Sequence, residues 1–301
     1  VNVWRAKINS GRASGSFWDE AKQYCREAGV VGVGWGRPNV ELEEGATLDE
    51  VLTEIAKNPE WRKAGVATVR RLATQVEDGD LVWTRDRLGN YWLGKIEGRW
   101  WFDVSDAATR WDLNNVRPCR WLDSPMRDYE VPGGVVRSFV GAGSSFRRVG
   151  QGPACEMSRL IYEAGTGTSP PAMGAEEIIR GLLDPTDVED LVLLFLQADG
   201  WLLLPSTRMH DTPLYEAAFR HLDDGRVAVV SVKSGDSAEV PIADLAAADP
   251  TAEIYVFSTD GLYSHPPHDF GVHEIRREQL VDFMGRHPEL MPPRIGRWLG
   301  T

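Results

Sequence analysis

Apolar residues recur at helical spacing from Asp187 to Asp199, at Val188, Leu191, Val192, Phe195 and Leu196. Asp187, Glu189 and Asp190 crowd the start of that segment, where the helix dipole favours acids. Asp199-Gly200 ends the helix. Two strand-patterned segments follow, Leu214 to Phe219 and Arg226 to Lys233, joined by Asp223-Asp224-Gly225, a hairpin turn signal. Nearer the start of the chain, Val1, Val3 and Arg5 alternate around Trp4 as in a strand. Phe17, Ala21, Tyr24 and Cys25 then share one side of a helix over Ser16 to Ala28, and a glycine-dense strand runs from Val30 to Gly36. The Thr47-x-x-Glu50 capping box opens one helix, and a second is predicted from about Trp61 through Val69, Leu72 and Ala73. Strands return at Gly79 to Asp86, from Asn90 to about Asp103 and at Asn114 to Trp121, a pattern of short strands and glycine turns that suggests a small β-barrel. A buried strand over Ala252 to Tyr263 and a helix over Arg276 to Arg286 complete the second half.

Composition divides the chain in two. The 301 residues carry a net charge of −12, but residues 1 to 150 hold 22 Lys and Arg against 21 Asp and Glu, whereas residues 151 to 301 hold 11 against 24. Ten of the twelve tryptophans lie in the first half. A near-neutral half rich in Arg and Trp can meet a nucleic acid through local basic patches and stacking; the acidic half needs metal ions to offset its charge. The segments GAGSSFRRVGQGP and AGTGTSPPAMG, flanking a short helix at Ala154 to Ala164, look like linkers. No apolar run approaches a membrane span, and neither a span nor a signal peptide is expected. The three cysteines, Cys25, Cys119 and Cys155, form no CxxC pattern, which fits a cytoplasmic location, and the HPPH spacing of His265 and His268 suits a turn better than a zinc-binding helix.

Candidate chemistry changes the picture at the hairpin. Glu216 lies on its first strand and Lys233 near the end of its second, behind the acid-bearing helix. Carboxylates hold Mg²⁺ through hard oxygen ligands, the metal lowers the pKa of a bound water, and a lysine steadies charge growing on a phosphate. This order of helix, acid strand and lysine strand resembles the Mrr-like branch of the PD-(D/E)xK nucleases. The resemblance implies that Glu216 binds metal with Asp211 in reserve, that Lys233 is the catalytic lysine, and that Glu189 is the helix acid. The chain departs from the pattern at Ser231, where the family has Glu, Asp or Gln two residues before the lysine.

In the first half the Trp4 strand, VGWG at Val33 to Gly36, GDLVWTRD at Gly79 to Asp86 and YWLGKIEG at Tyr91 to Gly98 resemble the PUA superfamily, most closely its EVE-like members. That resemblance implies a pocket in which a modified base, flipped from duplex DNA, stacks on aromatic rings. Trp35 and Trp83 are expected in or beside it, with Tyr91, Trp92, Arg85 and Asp86 as neighbours. Most of Trp4, Trp18, Trp61, Trp100, Trp101, Trp111 and Trp121 are expected to be structural, since a cage needs two or three rings. The expected architecture is therefore α+β with two domains: a PUA/EVE-like β-barrel with helices over residues 1 to 140, a linker with a short helix over 141 to 174, and an α/β nuclease-like domain with a mixed sheet over 175 to 301. The expected function is that of a Mg²⁺-dependent endonuclease, a homodimer acting on double-stranded DNA that carries a modified base, 5-methylcytosine above others. The alternative is a modified-DNA-binding protein whose nuclease-like half has decayed into a dimerisation or recruiting module.

Overall fold

The computed structural model describes residues 1–8, 17–35, 42–59, 63–140, 144–169, 171–209, 214–235 and 239–300, without the side chains of Phe17, Trp18 and Met209. Among the described residues no helix is long and apolar enough to cross a membrane. The chain separates into two compact units, Val1–Pro170 and Pro171–Thr301.

The first unit runs β1 (Val3–Ala6), α1 (Phe17–Glu27), β2 (Val30–Val33), α2 (Leu48–Lys57), α3 (Ala64–Thr74), β3 (Leu81–Arg85), β4 (Tyr91–Ile96), β5 (Trp101–Phe102), α4 (Asp106–Trp111), β6 (Asn115–Trp121), α5 (Gly133–Phe139), β7 (Phe146–Arg148) and α6 (Pro153–Gly165). Its strands form a curled half-barrel in the order β2-β6-β4-β3-β1-β7, with β5 added on β6. Among the described residues of this unit only β1 and β3 pair in parallel. β6 changes partner along its length, from β2 at Asn115 to Pro118 to β4 at Cys119 to Trp121. Pro118, which has no N–H to donate to a ladder, sits where the exchange occurs. One side of the sheet packs Trp4, Ala6, Val31, Val82, Ile96 and Cys119 with Ala21 and Cys25 of α1 and Ile55, Val69 and Leu72 of α2 and α3. The capping box at Thr47 forms as expected, the side chain accepting from Glu50 N–H while Glu50 accepts from Thr47 N–H at 2.8 Å.

The described residues of the stretch read as a linker belong to this unit up to 169, and 171–174 belong to the second. Phe146 stacks on Trp4 with ring centroids 5.4 Å apart, and this contact seats β7 against β1. α6 covers the other side of the sheet, where Ser158 Oγ accepts from Trp83 Nε1 at 3.0 Å and Tyr162 donates to the carbonyl of Arg120. Its apolar residues Met157, Leu160 and Ile161 are buried. Glycine-rich flanks do not make a linker when the segment between them has an apolar face to bury.

The second unit runs α7 (Ala175–Gly181), α8 (Pro185–Ala198), β8 (Trp201–Leu203), β9 (Ala217–His221), β10 (Val227–Lys233), α9 (Ile242–Ala248), β11 (Glu253–Ser258), β12 (His273–Glu274), α10 (Arg277–Arg286) and α11 (Pro293–Gly296). The sheet order is β12-β11-β10-β9-β8: an antiparallel meander from β8 to β10, then parallel strands after the α9 crossover. One face packs Ala218, Val229, Ile254 and Val256 against Ile242 and Leu245 of α9. α8 and α10 meet through an edge-on contact of Phe195 with Phe283 at 5.7 Å. α8 starts two residues before the expected position because Asp184 caps it, accepting from Thr186 N–H at 2.9 Å, and Pro185 needs no donor in a first turn. The left-handed turn at Gly200 (φ 87°) reverses the chain into β8. The first turn of α8 is thereby carried back to the end of the sheet where β8 and β10 finish.

Candidate functional site

In the second unit the hairpin brings Glu216 and Lys233 together. β9 pairs with β10 through Ala217 and Val230, and Glu216 N–H still reaches the Val230 carbonyl at 2.9 Å before the chain leaves the ladder. The Glu216 carboxylate then takes the place of the missing strand: one oxygen accepts from Val232 N–H at 3.0 Å and the other meets Lys233 Nζ at 3.1 Å. Both side chains keep access to solvent, at 20% for Glu216 and 25% for Lys233. A carboxylate and an ammonium thus converge at the carboxyl end of β10, a usual position for a ligand in an open α/β sheet. Ser231, opposite Glu216 in register, is completely buried, and its hydroxyl has no hydrogen-bond partner. It offers nothing to solvent at this edge.

The other expected members of this site fare differently. Asp211 lies outside the described residues. Glu189 is half-buried on α8, whose first turns also carry Asp187 and Asp190. Asp187 is buried and bonded by Arg294 Nε at 2.6 Å. Arg294 also bonds Asp190, whose other oxygen lies 3.0 Å from Arg208. Burial, then the neighbouring carboxylate of Asp184, pushes the Asp187 carboxyl up to about 7 against the pull of Arg294. Among the described residues no three His, Cys, Asp or Glu side chains converge as a metal site. An open groove of about 380 Å³ between α8 and α10, lined by Phe195, Asp199, Asp282, Phe283 and His287, lies toward the opposite end of the sheet.

In the first unit the expected aromatic residues do not form one pocket. Trp83 and Tyr91 are fully buried on the side covered by α5 and α6: Trp83 donates to Ser158, and Tyr91 meets Trp83 and Phe139 edge-on. They are packing residues. Asp86 shapes the β3–β4 turn, accepting from the N–H groups of Leu88 and Asn90, and Arg85 is exposed beside Tyr91. Trp92 lies on the other side of the sheet, with the Arg26 guanidinium 3.9 Å above its ring and its own Nε1 buried without a partner. Trp35 follows β2 at the opposite end of the sheet. Of the tryptophans expected to be structural, Trp4 and Trp121 are bonded to Asp80 and the Val30 carbonyl, Trp111 is buried and Trp101 is exposed; the Trp18 side chain and Trp61 lie outside the described residues.

Trp35 is the expected pocket residue with unusual geometry. Its φ of 75° is left-handed, rare for a bulky residue, and Asp112 across the corner is also left-handed at 52°. A Cβ at Gly34 would stand 2.8 Å from the Asp112 carbonyl and carboxylate, so only glycine permits this approach. The ring edge lies over Gly65 of α3. Asn115 donates to the Gly34 carbonyl at 3.0 Å; it and Asn114 are fully buried, and each has a side-chain carbonyl oxygen without a partner. Strained backbone lies here beside buried acceptors that the described residues leave unmatched, an arrangement that recurs at functional sites. Asp112, Asn114 and Asn115 escaped the sequence reading because Asx residues before a strand look like an ordinary turn.

Residues 10–132, within the first unit, match the family model described as a domain of unknown function (DUF8426). That stretch takes in Trp35, Asp112, Asn115 and Trp92. No curated protein matches the chain.

Proposed function

We propose that the protein is a DNA-directed enzyme in which the first unit reads a modified base and the second hydrolyses the backbone, in the manner implied by the EVE-like and Mrr-like resemblances. The observation that carries the reading is the Glu216–Lys233 contact at the carboxyl end of β10. Two residues distant in sequence arrive there with the charges phosphodiester hydrolysis uses: a carboxylate for a hard cation and an ammonium to steady the phosphorane-like charge. Mg²⁺ keeps most of its water and takes one or two carboxylates plus phosphate oxygens, so a site with Glu216 as its carboxylate fits that ion, with Asp211 as the second acid. The metal when bound supplies an activated water. Lys233, freed from Glu216, holds the phosphate and its developing charge. In the first unit the Trp35 ring supplies a stacking face for the base. A homodimer provides two such sites for two strands.

Ser231 favours a second reading, in which the second unit binds but does not cut. It is buried and carries no carboxylate, and both oxygens of Glu216 are already engaged. The two readings part in a single assay: duplexes with cytosine or 5-methylcytosine, in Mg²⁺ or EDTA, with Lys233→Ala alongside. Preferential binding with Mg²⁺-dependent cutting that Lys233→Ala abolishes supports the enzyme. Preferential binding without cutting supports the second reading, and equal, weak binding to both duplexes removes 5-methylcytosine as the mark.

A further inference from the structure

We propose that Arg277 is a DNA-phosphate contact of the Glu216–Lys233 site, an inference that rests on the function proposed above. Most basic side chains of the second unit sit on carboxylates: Arg180 on Glu176, Arg208 on Asp190, Arg226 on Asp224, Lys233 on Glu216, Arg286 on Asp282 and Arg294 on Asp187. Arg277 does not. Its Nη2 donates to the carbonyl of Thr259, its Nε is buried with no partner, and it forms no ion pair among the described residues. Thr259 in turn donates its backbone N–H to the Lys233 carbonyl at 2.9 Å. The guanidinium is therefore tied, through one residue, to the strand end that carries Lys233.

Topology puts it there for a reason that local sequence does not reveal. β11 and β12 run parallel to β10, and Ile275 N–H bonds the Val256 carbonyl, so α10 begins at the same end of the sheet where β10 finishes. Arg277 is its first residue. The second unit holds 10 Lys and Arg against 22 Asp and Glu, so an uncompensated cation beside the candidate site has a definite electrostatic task. A phosphate oxygen is the partner that suits it, because a guanidinium matches phosphate in charge and in donor geometry.

The test is the salt dependence of binding by the full chain to a 5-methylcytosine duplex in EDTA, read by fluorescence anisotropy. Each lost phosphate contact lowers the slope of log K against log salt by about 0.9. Arg277→Gln is expected to lower it by that amount, Arg277→Lys to keep the wild-type slope, and Arg220→Gln, an exposed arginine at the opposite end of β9, to leave it unchanged. Urea denaturation of each variant checks that folding is intact; a merely structural role for Arg277 would shift that midpoint and leave the slope alone. An unchanged slope in Arg277→Gln, or an equal loss in Arg220→Gln, overturns the assignment while the proposed function stands. Absence of duplex binding by the wild-type chain removes the proposed function, and this contact with it.

Discussion

A glycine at position 34 is required by its neighbour rather than by its own dihedral angles. Asp112 crowds it with backbone as well as side chain, and a left-handed Asp112 has little freedom to retreat. Gly34→Ala is expected to cost about 1–3 kcal/mol of stability, the usual range for forcing atoms into a filled site, and urea denaturation followed by tryptophan fluorescence would detect it. An unchanged midpoint would mean that the corner yields. Ser231 presents the opposite case, since its buried hydroxyl gains nothing in return for leaving water. Ser231→Ala is expected to be neutral or stabilising by up to about 1 kcal/mol; a marked loss of stability would reveal a partner for the hydroxyl. Both predictions concern the backbone environment of candidate residues and are independent of catalysis.

At the scale of elements, α8 and α11 are joined by the Asp187–Arg294 contact across 107 residues of sequence. Burial holds the Asp187 carboxyl near 7, well above its ordinary value of 3.8, so between those limits the folded chain carries a proton that the unfolded chain has released. Stability contributed by this group is complete below about pH 4 and is lost as pH rises through about 7, with a slope approaching 1.4 kcal/mol per pH unit. Asp187→Asn should flatten that slope in urea titrations of the second unit; an equally steep dependence in the variant would assign it elsewhere. The same contact marks how far local pattern extends. α8 and the β9–β10 hairpin were legible because an apolar stripe, a capping acid and an Asp-Asp-Gly turn are encoded within a few residues, and so was the meeting of Glu216 with Lys233. Arg294 was not, since nothing near it announces an aspartate on another helix. The burial of Trp83 and Tyr91 was not legible for a related reason: alternation gives the two sides of β3 and β4, but the side bearing these residues is closed by α6, from the stretch whose composition looked like a linker.

Across the whole molecule, charge is divided between the two units about as unevenly as between the two halves of the sequence. Divided at Pro170, the first unit holds 23 basic and 23 acidic residues and the second 10 and 22, net charges of zero and −12. Each unit has its own apolar core, so each is a reasonable fragment to express. A polyanion at physiological salt should avoid the second fragment, because affinity for DNA rests on neutralising phosphates and that fragment has few unpaired cations. It would act on DNA only when the first unit holds the duplex nearby, an effective-concentration effect that costs no specific affinity of its own. Residues 1–170 are therefore expected to retain the full preference for a modified duplex in gel shifts. Residues 171–301 are expected to show no shift in EDTA and little cutting in Mg²⁺, even at concentrations at which the intact chain is active. Strong cutting by the isolated second fragment would place substrate recognition in that unit and would leave the first with some other task. Loss of binding by residues 1–170 would mean that reading the base requires both units.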